Sequence, residues 1–265
     1  MKKLWNSFKI AFSMYSKIPM PKSDWTNENM RYCFCFFPLV GGVVGALTCV
    51  WRYLAEYLGL RGSTSSAVVL MLIPVAVTGG IHLDGLLDTA DALSSYKGQK
   101  ERLEILKDSR AGAFAVIQAV VYFFLYYGIY SYLDACPGKR GEEAWQVIAL
   151  SFFLSRILSG YGVVAFPKAK DTGLAALFSQ KAEGRAVKIV LVCYGILIFV
   201  FMAGIDIFYA LAVYTAAFLV FIYYYFMSVN KFGGITGDLA GWFLQNCEIA
   251  MALGVMIVHV AGGVV

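Results

Sequence analysis

The chain has 265 residues, 60% of them hydrophobic, with a formal net charge of +5 and a mean hydropathy of +0.68. That apolar excess excludes a soluble globule and a nucleic-acid-binding module, and it points to a protein whose solvent is the lipid bilayer. The apolar runs are about twenty residues long rather than ten-residue alternations, so the spans are helical and the fold class is an all-α, polytopic membrane bundle forming one domain over residues 1–265.

Residues 1–22 carry Lys2, Lys3, Lys9, Lys17 and Lys22, with Trp5, Phe8, Phe12 and Tyr15 recurring between them at helical spacing. That composition predicts an amphipathic helix lying on the membrane surface. Seven spans follow, at 33–56, 64–81, 113–134, 144–165, 186–204, 207–228 and 246–264, from hydrophobic run length. Pro38, Pro74 and the pairs Gly41-Gly42 and Gly79-Gly80 mark kinks or close helix contacts. Segments 82–112, 166–185 and 229–245 are long and polar, whereas 57–63, 135–143 and 205–206 are short. Of the 22 Lys and Arg, seventeen fall on the side of the N-terminus and the long segments, and four (Arg52, Arg61, Lys139 and Arg140) on the other. The positive-inside rule therefore predicts a cytoplasmic N-terminus and three cytoplasmic polar segments. Six cysteines form no Cys-X-X-Cys pair, which argues against a zinc or disulfide framework.

The first polar segment opens with Gly-Gly-Ile-His-Leu-Asp-Gly-Leu-Leu-Asp-Thr-Ala-Asp-Ala-Leu at 79–93. At about 100° per residue, Asp88 lies roughly 40° and Asp91 roughly 20° from Asp84, with Leu83, Leu86, Ala90 and Leu93 opposite. Three convergent carboxylates repel one another unless a cation lies between them, and an all-oxygen set favours magnesium or manganese. His82, roughly 160° away on the wheel, faces elsewhere and reads as a structural or substrate-side residue. Further on, Lys107 and Arg110 bracket Asp108 and Ser109. Basic side chains beside an acidic cluster suit a diphosphate, with cations for its outer oxygens and a metal for the bridging ones.

Arg156 stands in the middle of an apolar span and needs a carboxylate or an anionic substrate group as its partner. The last polar segment holds Lys231, Gly233, Gly234, Thr236 and Asp238, with Gln245 and Glu248 following. Its glycines permit close backbone approach to a phosphate, and Thr236 or Asp238 can cap the helix that begins there.

Gly80-Ile81-His82-Leu83-Asp84-Gly85, Asp88-Thr89-Ala90-Asp91, Lys107-Asp108-Ser109-Arg110 with Gly112, and Gly233-Gly234 with Thr236-Gly237-Asp238 resemble the adenosylcobinamide-GDP ribazoletransferases, also called cobalamin-5′-phosphate synthases. The likeness runs from Lys17-Ile18-Pro19 to Glu248. Ser16-Lys17, Leu87, Ala92 and Ala115 depart from the family's usual residues, beside the charged positions rather than on them. The resemblance implies a Mg2+-dependent enzyme of the prokaryotic cytoplasmic membrane, with its active-site loops inside. Its substrates would be adenosylcobinamide-GDP and α-ribazole or the 5′-phosphate of α-ribazole, and its products GMP and adenosylcobalamin or its 5′-phosphate.

On that footing Asp84, Asp88, Asp91 and Asp108 are the expected metal-holding and catalytic carboxylates. His82, Lys107, Ser109, Arg110, Arg156, Lys231, Gly233, Gly234, Thr236, Asp238 and Glu248 are the expected substrate contacts. The proton acceptor is left open among the carboxylates, and a homo-oligomer is compatible with the sequence. Rival expectations are a CDP-alcohol or polyprenyl-diphosphate transferase, which arranges its aspartates differently, and a transporter, for which Arg156 is the best support.

Overall fold

A computed structural model describes residues 2–108, 110–170, 178, 180 and 182–262. Among the described residues the chain is helical, and its extended pairing is a single parallel bridge between Lys168 and Ile235. The helices are α1 (Lys2–Tyr15), α2 (Asn27–Met30), α3 (Cys33–Tyr57), α4 (Thr64–Thr78), α5 (Ile81–Ser94), α6 (Gln99–Ile105), α7 (Ala113–Ala135), α8 (Gly138–Ala165), α9 (Gly184–Ile205), α10 (Ile207–Phe232) and α11 (Gly237–Gly262). Six of them (α3, α7, α8, α9, α10 and α11) are long and apolar enough to cross a membrane. Counting the bent pair α4 and α5 as one broken span brings the number up to seven, against the seven that the hydrophobic runs predict.

Four boundaries differ from expectation by more than two residues, one of them the start of α8 at Gly138 rather than 144. The span expected at 64–81 ends at Thr78, where Gly79 and Gly80 both take left-handed φ values of 65° and 79°. A side chain at either position would be strained there. The axis turns by 94°, so α5 runs across the end of the bundle instead of prolonging α4. The polar segment expected at 229–245 shrinks to 233–236, because α10 continues to Phe232 and α11 starts at Gly237. Residues 263–264 of the last expected span lie outside the described residues. Helix α11 begins nine residues before its hydrophobic run because its polar stripe faces protein, where hydropathy carries no signal.

The amphipathic N-terminal segment is also more than a surface helix. Ile10, Ala11 and Phe12 are buried, Phe8 meets Phe36 of α3 edge-on at 5.8 Å, and Tyr15 packs on Phe37 of α3 at 4.2 Å. The Lys17 N–H donates to Val77 O at 2.8 Å, which ties the end of α1 to the end of α4.

The bundle core is the crossing of α3 and α8. Gly41 and Gly45, one turn apart on α3, lie against the carbonyls of Phe152 and Ala149, so the backbones touch where small residues face each other. At the opposite end from α5, Arg52 reaches Asp134 at 3.4 Å and Glu142 at 3.2 Å, with its guanidinium 4.9 Å above the Trp145 ring. That cluster joins α3, α7 and α8. Gly45→Leu should lower stability by about 1–3 kcal/mol or more through overpacking, whereas Gly128→Ala, with nothing within 4 Å of the new Cβ, should be neutral or stabilising; thermal unfolding in detergent checks both.

Candidate active site

The site is assembled where α5 crosses α11. A Cβ on Gly85 would lie 2.6 Å from the Asp238 carbonyl oxygen, and one on Gly241 would lie 2.9 Å from the His82 carbonyl oxygen. Both helices carry glycine where they meet, and the aspartates of α5 are thereby brought to Asp238 at the start of α11. Thr236 caps α11, its Oγ1 accepting the Leu239 N–H at 3.2 Å, as the sequence predicts for a polar residue ahead of a helix.

Burial and mutual repulsion both act on these carboxylates. Partial burial, then the charges of Asp84, Asp238 and Asp91, push the Asp88 carboxyl up from 3.8 to about 6. The expected acidic face of α5 thus exists, and it gains a member from α11. Asp91 has a second employment, since its Oδ2 accepts the Gly112 N–H at 2.6 Å and its Oδ1 the Ala115 N–H at 2.9 Å. Both oxygens satisfy the first turn of α7, which lacks donors' partners of its own. Asp91 holds α7 onto α5 more directly than it serves as an open ligand.

Asp108 stands apart. Its charged partner is the Arg110 guanidinium at 2.7 Å, whose hydrogen bonds hold the carboxyl down at about 2. Lys107 similarly reaches Glu104 at 2.7 Å. These exposed pairs contribute little energy, so an anionic ligand can replace the acidic partner. Ser109 lies outside the described residues.

Arg156 does not serve as a free cation. It is fully buried and ion-paired with Glu248, itself 2% exposed, and its Nη1 donates to the Phe152 carbonyl at 3.1 Å and Ser155 Oγ at 3.0 Å. Two residues expected at the substrate therefore pair with each other inside the bundle, with Arg156 Nε and Nη2 and Glu248 Oε2 left without a hydrogen-bond partner among the described residues, because neither charge can stay unpaired away from water. Lys231 is exposed in the last turn of α10. Gly233 is the left-handed cap of α10, and Gly234 is close to protein rather than open to a phosphate. The Ile235 N–H donates to Pro167 O at 2.8 Å and the Ala169 N–H to Ile235 O at 3.0 Å, so segment 167–169 occupies the approach that the glycines allow.

That docking reveals cations missed at the level of motif. Lys170 Nζ donates to the Leu103 carbonyl at 2.9 Å, and its charge acts on Asp238. Burial, then the charge of Lys188, lowers Lys168 from 10.5 to about 8. In the sequence these two lysines count only as positive-inside charge. A cavity of ≈ 270 Å³ lies beside the carboxylates, lined by Tyr15, Phe37, His82, Asp84, Ser159 and Asp238 among others. His82 thus shares a cavity with Asp84 although the wheel sets them apart, since α1 and α3 close the space between them. Burial first, then the Arg156 charge, lowers the His82 imidazole to about 3, so it is neutral.

The family model described as cobalamin-5-phosphate synthase matches residues 7–256. The chain belongs to that family. An adenosylcobinamide-GDP ribazoletransferase of Lachnoclostridium phytofermentans is 44% identical over 252 residues, covering 95% of this chain and 94% of that one. Relatives of the same name from Treponema denticola and Clostridium botulinum are 33% and 30% identical, covering 92% and 94% of this chain and 95% and 96% of theirs. No solved structure matches the chain.

The donor set fits a hard divalent cation, because Asp84, Asp88 and Asp238 offer only oxygen and their mutual repulsion falls when a cation is bound. Among the described residues no three His, Cys, Asp or Glu side chains stand close enough to hold an ion, so holding one requires these carboxylates to turn toward a shared point. Asp88 also makes a stability prediction. The folded protein holds this proton more tightly than the unfolded chain, so stability falls as pH rises from about 4 through 6. The shift corresponds to about 3 kcal/mol at full effect and about 1 kcal/mol after screening of a part-exposed group. Asp88→Asn should therefore raise the unfolding temperature at pH 8 in EDTA and leave it unchanged near pH 4.

Proposed function

We propose that this protein transfers the adenosylcobinamide phosphate group of adenosylcobinamide-GDP to α-ribazole or its 5′-phosphate and releases GMP, completing the assembly of the cobalamin. The observation that carries this reading is the backbone contact of Gly85 with Asp238, which brings the Asp84 and Asp238 charges to act on Asp88, in a chain of this family. Relatives named for the reaction match it nearly end to end.

The ribose hydroxyl of α-ribazole attacks the cobinamide-bearing phosphorus. A new P–O bond forms, the bond from that phosphorus to the bridging oxygen breaks, and GMP leaves with the electron pair. The proton of the hydroxyl passes to one of the carboxylates, which are close to the mouth of the cavity. Asp84, Asp88 and Asp238 would hold Mg2+, which when bound supplies positive charge to the diphosphate oxygens. Lys107, Arg110, Lys168 and Lys170 offer cations for the remaining phosphate charge, and the first two exchange their acidic partners for it. Arg156 is left out of this set because Glu248 already neutralises it. The excess of Lys and Arg at this end supports a cytoplasmic active site in the prokaryotic cell membrane.

GMP release from adenosylcobinamide-GDP by the purified protein, with α-ribazole and with and without magnesium, tests the reading; no release under any of these conditions overturns it. Asp84→Asn should cut turnover at least about 100-fold, as loss of a principal electrostatic group does, and excess magnesium should not restore it. Near-normal turnover would remove Asp84 from the site. Lys107→Ala and Arg110→Ala should raise KM for the GDP-bearing substrate while KM for α-ribazole stays within about twofold, since losing a charged contact acts on the ligand that carries the opposite charge.

A further inference from the structure

The cavity beside Asp84 and Asp238 has a second wall that phosphoryl transfer leaves unused. Tyr15 of α1, Phe37 of α3 and His82 of α5 present three rings to it. Tyr15 and His82 are nearly parallel, 17° apart at 6.1 Å, and Phe37 lies 5.9 Å from His82. Phe34 and Val163 extend the apolar surface. His82 is 6% exposed, and its Nε2 has no hydrogen-bond partner among the described residues. A buried polar atom left unpaired is costly; Nε2 itself is closed off from the cavity surface, so a ligand atom relieves it once the imidazole turns toward the cavity it lines.

The size narrows the occupant. Sites for whole small molecules run to about 300–1,000 Å³, so a cavity of ≈ 270 Å³ takes one ring system and not an entire nucleotide-bearing substrate. The wall chemistry narrows it further. Guanine carries N–H and C=O groups around its edges; Asp84, Asp238 and Ser159 stand on one side of the cavity, but the groups turned to the Tyr15, Phe34, Phe37 and Val163 side would be left unpaired. The base of α-ribazole is a benzimidazole with two methyl groups, and its ring has a single free nitrogen.

We propose that this cavity binds the dimethylbenzimidazole base of the acceptor nucleoside, its methyl groups against the apolar wall and its free ring nitrogen toward the His82 imidazole. The proposal rests on the transfer reaction put forward above. With the base seated, the attached ribose lies toward Asp84 and Asp238, which line the same cavity, and the hydroxyl that attacks is placed by stacking rather than by charge. Tyr15, Phe37 and His82 are then specificity-determining residues for the lower base, drawn from three separate helices.

The test uses full-length protein in nanodiscs, with calorimetric binding of α-ribazole in the absence of the GDP-bearing substrate, alongside steady-state kinetics. Phe37→Leu and His82→Phe should each raise the Kd and KM for α-ribazole about tenfold or more, leaving KM for adenosylcobinamide-GDP within about twofold. Wild-type protein should bind the riboside of unmethylated benzimidazole about tenfold or more weakly than α-ribazole, and Phe37→Leu should narrow that gap. A rise in KM for the GDP-bearing substrate with α-ribazole binding unchanged overturns the assignment in favour of the guanine or corrinoid end. Unchanged α-ribazole binding in both variants overturns it outright. Should either variant fail to fold by size exclusion and thermal unfolding, the wild-type series decides, and equal affinity for methylated and unmethylated ribosides overturns the proposal. Wild-type protein that binds α-ribazole with this selectivity yet releases no GMP would remove the transfer reaction and leave the pocket standing.

Discussion

The close crossing of α5 and α11 is the constraint on which the site depends. Gly85 and Gly241 let the two backbones meet, and the carboxylates of one helix are pressed toward the carboxylate of the other. Burial, then the charges of Asp84, Asp238 and Asp91, raises the Asp88 carboxyl, while the Lys170 charge acts on Asp238. A protein that needed only stability would separate these charges or pair them. Holding them together stores repulsion that a cation and a diphosphate can relieve, so the same contact that costs stability prepares the chemistry.

Everything around the crossing holds it in position. The double left-handed turn at Gly79 and Gly80 swings α5 across the bundle end. Asp91 fastens α5 to the first turn of α7 through two backbone N–H groups. On the other side, the pairing of Ile235 with Pro167 and Ala169 locks the turn before α11 to the end of α8, and Gln99 of α6 donates to the Phe232 carbonyl at 3.0 Å. Deeper in the bundle Arg156 of α8 and Glu248 of α11 pair. In an apolar surround, an unmatched partner would be far more costly than in water, so this pair fixes the register of the two helices.

Much of this was legible before any coordinates. Seven crossings, the acidic face of α5, the kink at Gly79-Gly80 and the cap at Thr236 all follow from local rules: run length, a period near 100° and the preferences of glycine and threonine. Less legible were the residues whose surroundings depend on a partner distant in sequence. Arg156 and Glu248 are 92 positions apart; the sequence asks for a carboxylate or an anionic substrate group beside Arg156, and the structure supplies the carboxylate. Gly233 and Gly234 look like a phosphate cradle until segment 167–169 is placed against them. Lys170 looks like a topology signal until its charge is found to act on Asp238.

By itself, the sequence determined the membrane class, the number of crossings to within one and the acidic face that carries Asp84 and Asp88, because each follows from composition or from neighbours within a few turns. Only the tertiary structure decided which carboxylate joins them, which cations remain free, and that Tyr15, Phe37 and His82 surround one cavity. Those facts depend on helix crossings, which are set by where backbones can touch, and a linear pattern of residue types does not say which glycine meets which carbonyl.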